Sequence, residues 1–300
     1  PPFMIPASPD AVRAALAAGS AGTVDFAFDA PTPSANALRV LRALQLPGKP
    51  ILLEGSPGVG KTSLVVALAR AAGKRVVRIN LSEQTDIMDL FGSDLPVEGG
   101  APGQFAWRDG VFLQALRAGD WVLLDELNLA SQSVLEGLNA CLDHRAEVFI
   151  PELGRTFPAS PHFRLFACQN PLEQGGGRKG LPKSFLNRFT QVYLSELTRV
   201  DLLAILRAKF PTLAPAALSA MVDFNAAATA AITRDRAFAR AGAPWEFNLR
   251  DTARWCELVV AHPDVHWATW ISLMYLVRMR TPADVNAMVA LFERVTGEQL

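Results

Sequence analysis

The chain has 300 residues, 50% of them hydrophobic, and its 29 basic and 29 acidic side chains give a formal net charge of zero. This length suits about two domains with a substantial core. The balanced charge argues against strong direct nucleic-acid binding, and no run of about 18 apolar residues predicts a membrane span.

The ends and the cysteines add two expectations. The chain begins with Pro1 and has no basic segment followed by an apolar one, so we predict no signal peptide and expect a piece of a longer polypeptide. Cys141, Cys168 and Cys256 lie far apart without a C-x-x-C pair. Their spacing argues against a zinc site or a disulfide framework and fits a reducing compartment.

Residues 1–35 are rich in Pro, Ala and Gly and are predicted to form an N-terminal adapter segment. Ser8-Pro9-Asp10 is typical of a helix start, and Gly19 would end that short helix. Pro31-Thr-Pro33 is expected to break the chain before a helix from Asn36 to Leu44.

Residues 36–195 alternate apolar strands with amphipathic helices, which predicts an α/β domain with a parallel sheet sandwiched by helices. The predicted strands are Ile51–Glu54, Val76–Asn80, Trp121–Leu124, Phe163–Cys168 and Gln191–Leu194, and the predicted helices centre on 62–71, 110–118, 131–142 and 182–188. Two insertions interrupt the pattern: a loop or hairpin over 92–109, and a β-hairpin formed by Glu147–Ile150 and Arg155–Pro158.

Strand signals stop near residue 196, so residues 196–300 are predicted to form an all-α second domain. Its expected helices are Thr198–Lys209, Pro215–Ile232, Asn248–Ala261 and His266–Arg280, with a fifth at Pro282–Val295. Asn248 and Asp251 have the spacing of an N-cap and its N3 acid.

The segment Gly55–Thr62 matches the phosphate-binding pattern G-x-x-x-x-G-K-[ST] between a predicted strand and a predicted helix. Its glycines allow backbone N–H groups to converge on phosphate oxygens, and the helix start adds a positive dipole end. Lys61 is expected to reach the β- and γ-phosphates of ATP, and the Thr62 hydroxyl to ligate Mg²⁺. The candidate nucleotide-binding residues are Gly55, Ser56, Pro57, Gly58, Val59, Gly60, Lys61, Thr62, Ser63 and Asp125. Ser63 stands where a dinucleotide fingerprint needs its third glycine, which disfavours that alternative.

Two further strands end in polar residues. Asp125 and Glu126 follow an apolar strand, where Asp125 is placed to hold the Mg²⁺ shell and Glu126 to polarise the attacking water. Asn170 ends another strand, and Pro171 forces it into an extended conformation that aims it out of the strand end. We predict that Asn170 orients the water beside Glu126. A simple Asn-Pro turn is the alternative.

Two arginines are candidates for contacts with the γ-phosphate. Arg188 lies at a helix-to-strand junction and would stabilise transition-state charge in a neighbouring site. A helix C-terminal cap is the alternative. Arg250 begins a helix of the second domain and would couple nucleotide state to domain angle, although Arg254 lies one turn on. Ion pairing of Arg250 within its helix is the alternative.

Two other patterns are set aside. His262 and His266 are four apart, but Pro263 intervenes and no H-E-x-x-H is present, which disfavours a metal site. The run Gly175–Gly180 is interpreted as a flexible loop before the Arg188 helix rather than an anion site.

These elements, in this order, resemble an AAA+ ATPase module. Gly55–Thr62 resembles Walker A, Asp125-Glu126 Walker B, Asn170 sensor 1, Arg188 the arginine finger and Arg250 sensor 2. The insertions resemble the helix-2 insert and pre-sensor-1 hairpin of the branch with MoxR, McrB, dynein and midasin. Within that branch the sequence is most similar to the midasin family. This similarity lies in the runs Val77–Asp86, Trp121–Ala130, Ser131–Asn139, Gln174–Arg188 and Trp245–Arg250.

The resemblance implies a ring module that binds and hydrolyses Mg-ATP, with adjacent AAA+ modules as partners in a longer chain or a homo-oligomer. It also implies removal of assembly factors from pre-60S ribosomal particles in the nucleus, in the nucleolus and nucleoplasm. Two alternatives stay open at this stage. One is a MoxR-like homohexameric chaperone in the cytoplasm, and the other is a ring segment that binds ATP without hydrolysing it. The sequence does not tell which position in a ring the module occupies.

Overall fold

The computed structural model describes residues 26–46, 48–97, 103–143, 146–171 and 180–300. The described chain forms two compact units. The α/β unit contains residues 35–56 and 60–195, and the helical unit contains residues 26–34, 57–59 and 196–300. The predicted helix at residues 8–19 and the run Gly175–Gly180 include residues outside the described ranges.

The α/β unit is built on one five-stranded parallel sheet, as the alternating sequence pattern predicts. The strands are β1 Ile51–Glu54, β2 Val76–Asn80, β5 Trp121–Asp125, β8 Arg164–Gln169 and β9 Thr190–Tyr193, in the spatial order β2-β5-β8-β1-β9. Three central strands are apolar and almost wholly buried because helices cover both faces. β1, β5 and β8 therefore end side by side, which brings their C-terminal residues to one edge of the sheet.

The helices with residues in this unit are α1 Pro31–Ala43, whose first turn is assigned to the helical unit, α2 Lys61–Ala71, α3 Ile87–Phe91, α4 Val111–Ala118, α5 Gln132–Asn139 and α6 Lys183–Leu186. The expectation that Pro31-Thr-Pro33 breaks the chain before a helix at Asn36 is wrong. The helix begins at Pro31 itself, because proline is compatible with the first turn, where the backbone N–H has no intrahelical acceptor. Helices α5 and α6 are also shorter than predicted.

Both insertions are antiparallel hairpins. In the first, β3 Gly92–Pro96 pairs with β4 Phe105–Asp109. Gly92 has φ +126°, and a Cβ there would come within 2.4 Å of the Arg108 carbonyl oxygen, so this position requires glycine. In the second, β6 Glu147–Ile150 pairs with β7 Arg155–Pro158, with the bounds that the sequence predicts.

The helical unit contains α7 Arg199–Lys209, α8 Pro215–Thr229, α9 Leu249–Ala261, α10 Ile271–Met274 and α11 Pro282–Thr296. Asn248 caps α9, and Asp251 completes the capping box as predicted. The single helix predicted at His266–Arg280 is wrong. This segment consists of two 3₁₀ turns on either side of the short α10, and Tyr275 between them has φ −125°. Its side chain is fully buried against Phe224, Phe247 and Trp255, so tertiary packing outweighs local helix preference.

The segment Pro215–Arg234, which contains α8, is long and apolar enough by length and composition to cross a membrane. Within the helical unit it has a different role. Leu218, Met221, Val222 and Phe224 are at most 2% exposed and lie in the hydrophobic core. Burial among the other helices therefore accounts for these four large apolar side chains of α8.

Candidate nucleotide-binding site

The loop between β1 and α2 has the backbone shape of a phosphate cradle. Gly58 has φ +82° and Gly60 has φ +89°, conformations that favour glycine. Helix α2 begins at Lys61, directly after Gly60. The loop thus ends at a helix N-terminus, where free backbone N–H groups and the helix dipole favour an anion.

Lys61 is only 9% exposed, and its ammonium group donates to nearby oxygen atoms. Nζ donates to the backbone carbonyls of Gly55 at 2.6 Å and Ser56 at 3.2 Å, and to Oδ1 of Asn170 at 2.7 Å. These bonds hold the charge at the mouth of the loop. An approaching phosphate oxygen would replace one of the acceptors.

Thr62 and Asp125 face each other across the sheet edge. Thr62 Oγ1 donates to Oδ2 of Asp125 at 3.0 Å. The same carboxylate oxygen accepts from Nε and Nη2 of Arg78 at 3.1 and 2.7 Å. One oxygen of Asp125 therefore has three donors, and Asp125 is only 8% exposed.

Glu126 and Asn170 lie within hydrogen-bond distance of each other, as predicted for residues at neighbouring strand ends. Asn170 Nδ2 donates to Oε1 of Glu126 at 2.9 Å. Glu126 has φ 56° and ψ 46°, a left-handed conformation that is rare for a residue other than glycine. This turn directs the chain sharply away from β5, and such backbone strain is concentrated at functional sites.

Asn128 is a buried residue that the sequence reasoning did not single out. It is 2% exposed, and its Nδ2 donates to the backbone carbonyl of Asn170 at 3.1 Å. Its Oδ1 is buried without a hydrogen-bond partner among the described residues. Asn128 therefore fixes the position of Asn170 from the turn that follows Glu126.

Cys168 lies on β8 close to this site, but its chemistry is not that of a nucleophile. Burial, reinforced by the negative charge of Asp125, raises the pKa of the Cys168 thiol well above its usual value. A thiol that stays protonated is a poor nucleophile. Cys141, Cys168 and Cys256 are all buried and free.

Arg188 contacts the end of another helix of its own unit. Its Nη1 donates to the backbone carbonyl of Asn139, the last residue of α5, at 3.1 Å. This is a C-terminal cap of the kind considered as an alternative, although on a neighbouring helix rather than its own. The side chain is only partly buried, and its predicted action on an adjacent module stays a prediction.

Arg250 and Arg254 are both exposed in α9. Two acids of the same helix, Asp251 and Glu257, are the candidates for an intrahelical ion pair with Arg250. They pair elsewhere, Asp251 with Arg278 at 3.4 Å and Glu257 with Lys209 at 2.8 Å. The alternative of an intrahelical ion pair for Arg250 therefore has no support among the described contacts. The choice between Arg250 and Arg254 as the phosphate contact stays a prediction.

The α/β unit thus brings together Lys61, Thr62, Asp125, Glu126 and Asn170 from three adjacent strand ends. The oxygens of Thr62 and Asp125 are hard ligands of the type that Mg²⁺ prefers, and their separation of 3.0 Å matches two neighbouring positions on an octahedral ion with bonds of about 2.1 Å. The anion cradle and the buried ammonium group suit a triphosphate. The residues present therefore fit Mg-ATP.

Arg78 is the second residue that the sequence reasoning did not single out. It is a charged side chain between the apolar residues Val77 and Ile79 of β2, the strand next to β5. Its register places it opposite Leu123, two residues before Asp125 and on the same face. A single charged residue inside an apolar strand pattern was the feature of the sequence that pointed to Arg78.

Comparison with known proteins is consistent with this geometry. Residues 50–189 match the family model for the AAA domain of the dynein-related subfamily, and residues 201–299 match the midasin AAA lid domain. Midasin of Dictyostelium discoideum is 63% identical over 274 residues, and midasin of Giardia intestinalis is 45% identical over 271 residues. These alignments cover 91% and 88% of this chain, but the chain spans only 5% and 6% of the two midasins.

A bacterial relative is similar over about half of the chain. The denitrification regulatory protein NirQ of Pseudomonas aeruginosa is 34% identical over 142 residues, which cover 47% of this chain and 53% of NirQ. Similarity to the midasins therefore extends over far more of the chain than similarity to NirQ does.

Proposed function

Because the chain belongs to the dynein-related AAA family as an AAA+ module of the midasin type, we propose that it binds and hydrolyses Mg-ATP. The observation that carries this proposal is the hydrogen-bonded series Lys61–Asn170–Glu126, which joins the phosphate loop to the candidate base. A carboxylate fixed beside the phosphate loop is what the activation of an attacking water molecule requires.

Each residue has a distinct task in the proposed reaction. The backbone N–H groups of the loop and the Lys61 ammonium group bind and orient the phosphates, which is the main requirement of phosphoryl transfer. Thr62 and Asp125 would hold Mg²⁺, which when bound neutralises charge on the β- and γ-phosphate oxygens. Glu126 accepts a proton from the attacking water, and Asn170 orients that water together with the carboxylate.

The proposal extends to partners and place by family membership. We propose that the module works beside other AAA+ modules in a ring and that Arg188 completes the site of its neighbour. The work we propose for the whole protein is the removal of assembly factors from pre-60S ribosomal particles in the nucleus. The midasin-type lid and the 63% identity to a midasin support this extension.

Two substitutions separate binding from hydrolysis. Lys61→Ala is expected to weaken ATP binding at least about tenfold, because a buried charged contact to phosphate is lost. Glu126→Gln is expected to keep ATP binding and to lower turnover at least about a hundredfold. Binding is measured by calorimetry and turnover by phosphate release, with the exposed Lys49→Ala as a control. Undiminished hydrolysis by Glu126→Gln would refute the role assigned to Glu126.

A further inference from the structure

Arg78 contacts Asp125, the candidate ligand of the metal ion. Its guanidinium group reaches along the sheet from β2 and puts two N–H donors on Oδ2 of Asp125, the oxygen that also accepts from Thr62. The Arg78 side chain is 51% exposed, whereas that of Asp125 is 12% exposed. A half-exposed arginine is able to swing into solvent, but the carboxylate is fixed.

The Arg78 guanidinium group and a bound Mg²⁺ ion would therefore compete for Oδ2 of Asp125. A hard divalent ion bound to Thr62 and Asp125 requires the lone pairs of the Asp125 carboxylate. The arginine N–H groups occupy those on Oδ2 and bring a positive charge that repels the ion. At the same time, that positive charge attracts the triphosphate whether or not a metal ion accompanies it.

We infer that Arg78 is a built-in competitor of Mg²⁺ at Asp125, which preorganises the carboxylate and lowers the dependence of nucleotide binding on the metal. This inference rests on the proposed Mg-ATP site and concerns binding, not the chemical step. Removal of the positive charge has two effects, and both increase the dependence of nucleotide binding on Mg²⁺. Affinity for metal-free nucleotide falls, and affinity for Mg²⁺ in the presence of nucleotide rises.

The test uses a non-hydrolysable ATP analogue, so that no readout depends on turnover. Its dissociation constant is measured by calorimetry in EDTA and in excess Mg²⁺, and Mg²⁺ is then titrated at saturating analogue. Arg78→Gln is expected to lower the half-saturating Mg²⁺ concentration about tenfold. It is also expected to raise the ratio of the dissociation constant in EDTA to that in excess Mg²⁺ by a similar factor. Arg78→Lys, which keeps the charge but loses the two-donor contact, is expected to lie between the wild type and Arg78→Gln.

Arg75 supplies a matched control. It lies just before β2, its side chain is 78% exposed, and it pairs with Asp120 at 3.8 Å. Arg75→Gln removes a nearby charge without touching Asp125 and is expected to change neither quantity. The melting temperature of each variant, measured in EDTA, separates a loss of fold from a change in metal competition, and Arg78→Ala provides a second neutral variant.

The outcomes are distinguishable. If the wild type binds the analogue but neutral variants at position 78 leave the half-saturating Mg²⁺ concentration unchanged or higher, the competition is refuted while the ATP site stands. If those variants only melt at a lower temperature, Arg78 is a brace of the sheet and the inference fails. If the wild type binds no analogue with or without Mg²⁺, the proposed function itself fails.

Discussion

Asn170 donates a hydrogen bond of 2.9 Å from Nδ2 to Oε1 of Glu126, and its Oδ1 accepts one of 2.7 Å from Lys61. A single amide thus joins the residue that binds phosphate to the residue that would activate water. The orientation of this amide is fixed by its partners, since an ammonium group only donates and a carboxylate only accepts. The Asn170 side chain therefore lies between the phosphate loop and the candidate base.

We expect Asn170→Ala to bind ATP within about fivefold of the wild type but to turn it over about a hundredfold more slowly. The amide contributes little to phosphate affinity, whereas the position of the water depends on it. Binding is measured by calorimetry and turnover at saturating ATP by phosphate release. The exposed Asn187→Ala is the control. A loss of binding equal to the loss of turnover would show that Asn170 acts only by holding Lys61.

Arg188 allows a test of action between chains. If its guanidinium serves the site of a neighbour, turnover per molecule of the isolated chain should rise with protein concentration. A mixture of Lys61→Ala and Arg188→Ala chains should also regain activity that neither has alone, since each supplies what the other lacks. Mixed chains that stay inactive, while the wild type turns over ATP at a constant rate per molecule, would show that Arg188 serves only as the cap on Asn139.

The helical unit contains a buried polar pair with a measurable effect on stability. Asn225 Nδ2 donates to the Tyr275 hydroxyl at 2.8 Å, and Tyr275 is fully buried. Tyr275→Phe leaves this donor without its acceptor, which costs about 1–3 kcal/mol. Urea unfolding should show this decrease in the free energy of unfolding, whereas Tyr193→Phe, at a side chain 62% exposed, should change it by less than about 0.5 kcal/mol. Equal effects of the two changes would contradict the prediction.

The sheet was predictable from the sequence because its strands have a simple physical signature. Ile51–Glu54 and Val76–Asn80 have the predicted bounds, since a strand buried between helices is an uninterrupted apolar run that ends at a turn. Asn170 and Glu126 were predicted to be neighbours for a related reason. Parallel strands bring their C-terminal ends to one edge whatever their spacing in the chain.

The errors arose where tertiary contacts decide the local structure. The segment from His266 to Arg280 has helical composition, but the burial of Tyr275 among aromatic rings breaks it into short turns. Arg78 was missed because nothing in its own segment shows that it reaches Asp125, whose strand lies 43 or more residues further along the chain. Sequence patterns identify which residues carry chemistry. The ion pairs between those residues can be predicted only when the register of the sheet is known.

Asp201 gives a prediction about acid stability. Its side chain is inaccessible to solvent, Oδ1 accepts from the Thr32 backbone at 2.9 Å, and Oδ2 accepts from the Thr198 backbone and hydroxyl at 2.8 and 2.6 Å. Burial by itself would raise the pKa of Asp201, but the hydrogen bonds from Thr198 and Thr32 outweigh it and hold the pKa below its usual value. The folded state therefore favours the ionised carboxylate.

A depressed pKa in the folded state means that this stabilisation is complete above the unfolded pKa of about 3.9 and is lost as the pH falls through the lower folded value. Asp201→Asn should cost about 2–4 kcal/mol at pH 7, because charge-assisted bonds to a buried group are removed. This difference from the wild type should shrink as the pH falls from about 5 towards 3. The measurement is urea unfolding of both proteins across that range.

Asp223→Asn is the control. The Arg199 hydrogen bond lowers the pKa of Asp223 too, but its side chain is 39% exposed, so its loss should cost less than about 1 kcal/mol. A cost for Asp201→Asn that is the same at pH 7 and pH 3 would show that the carboxylate contributes shape rather than charge.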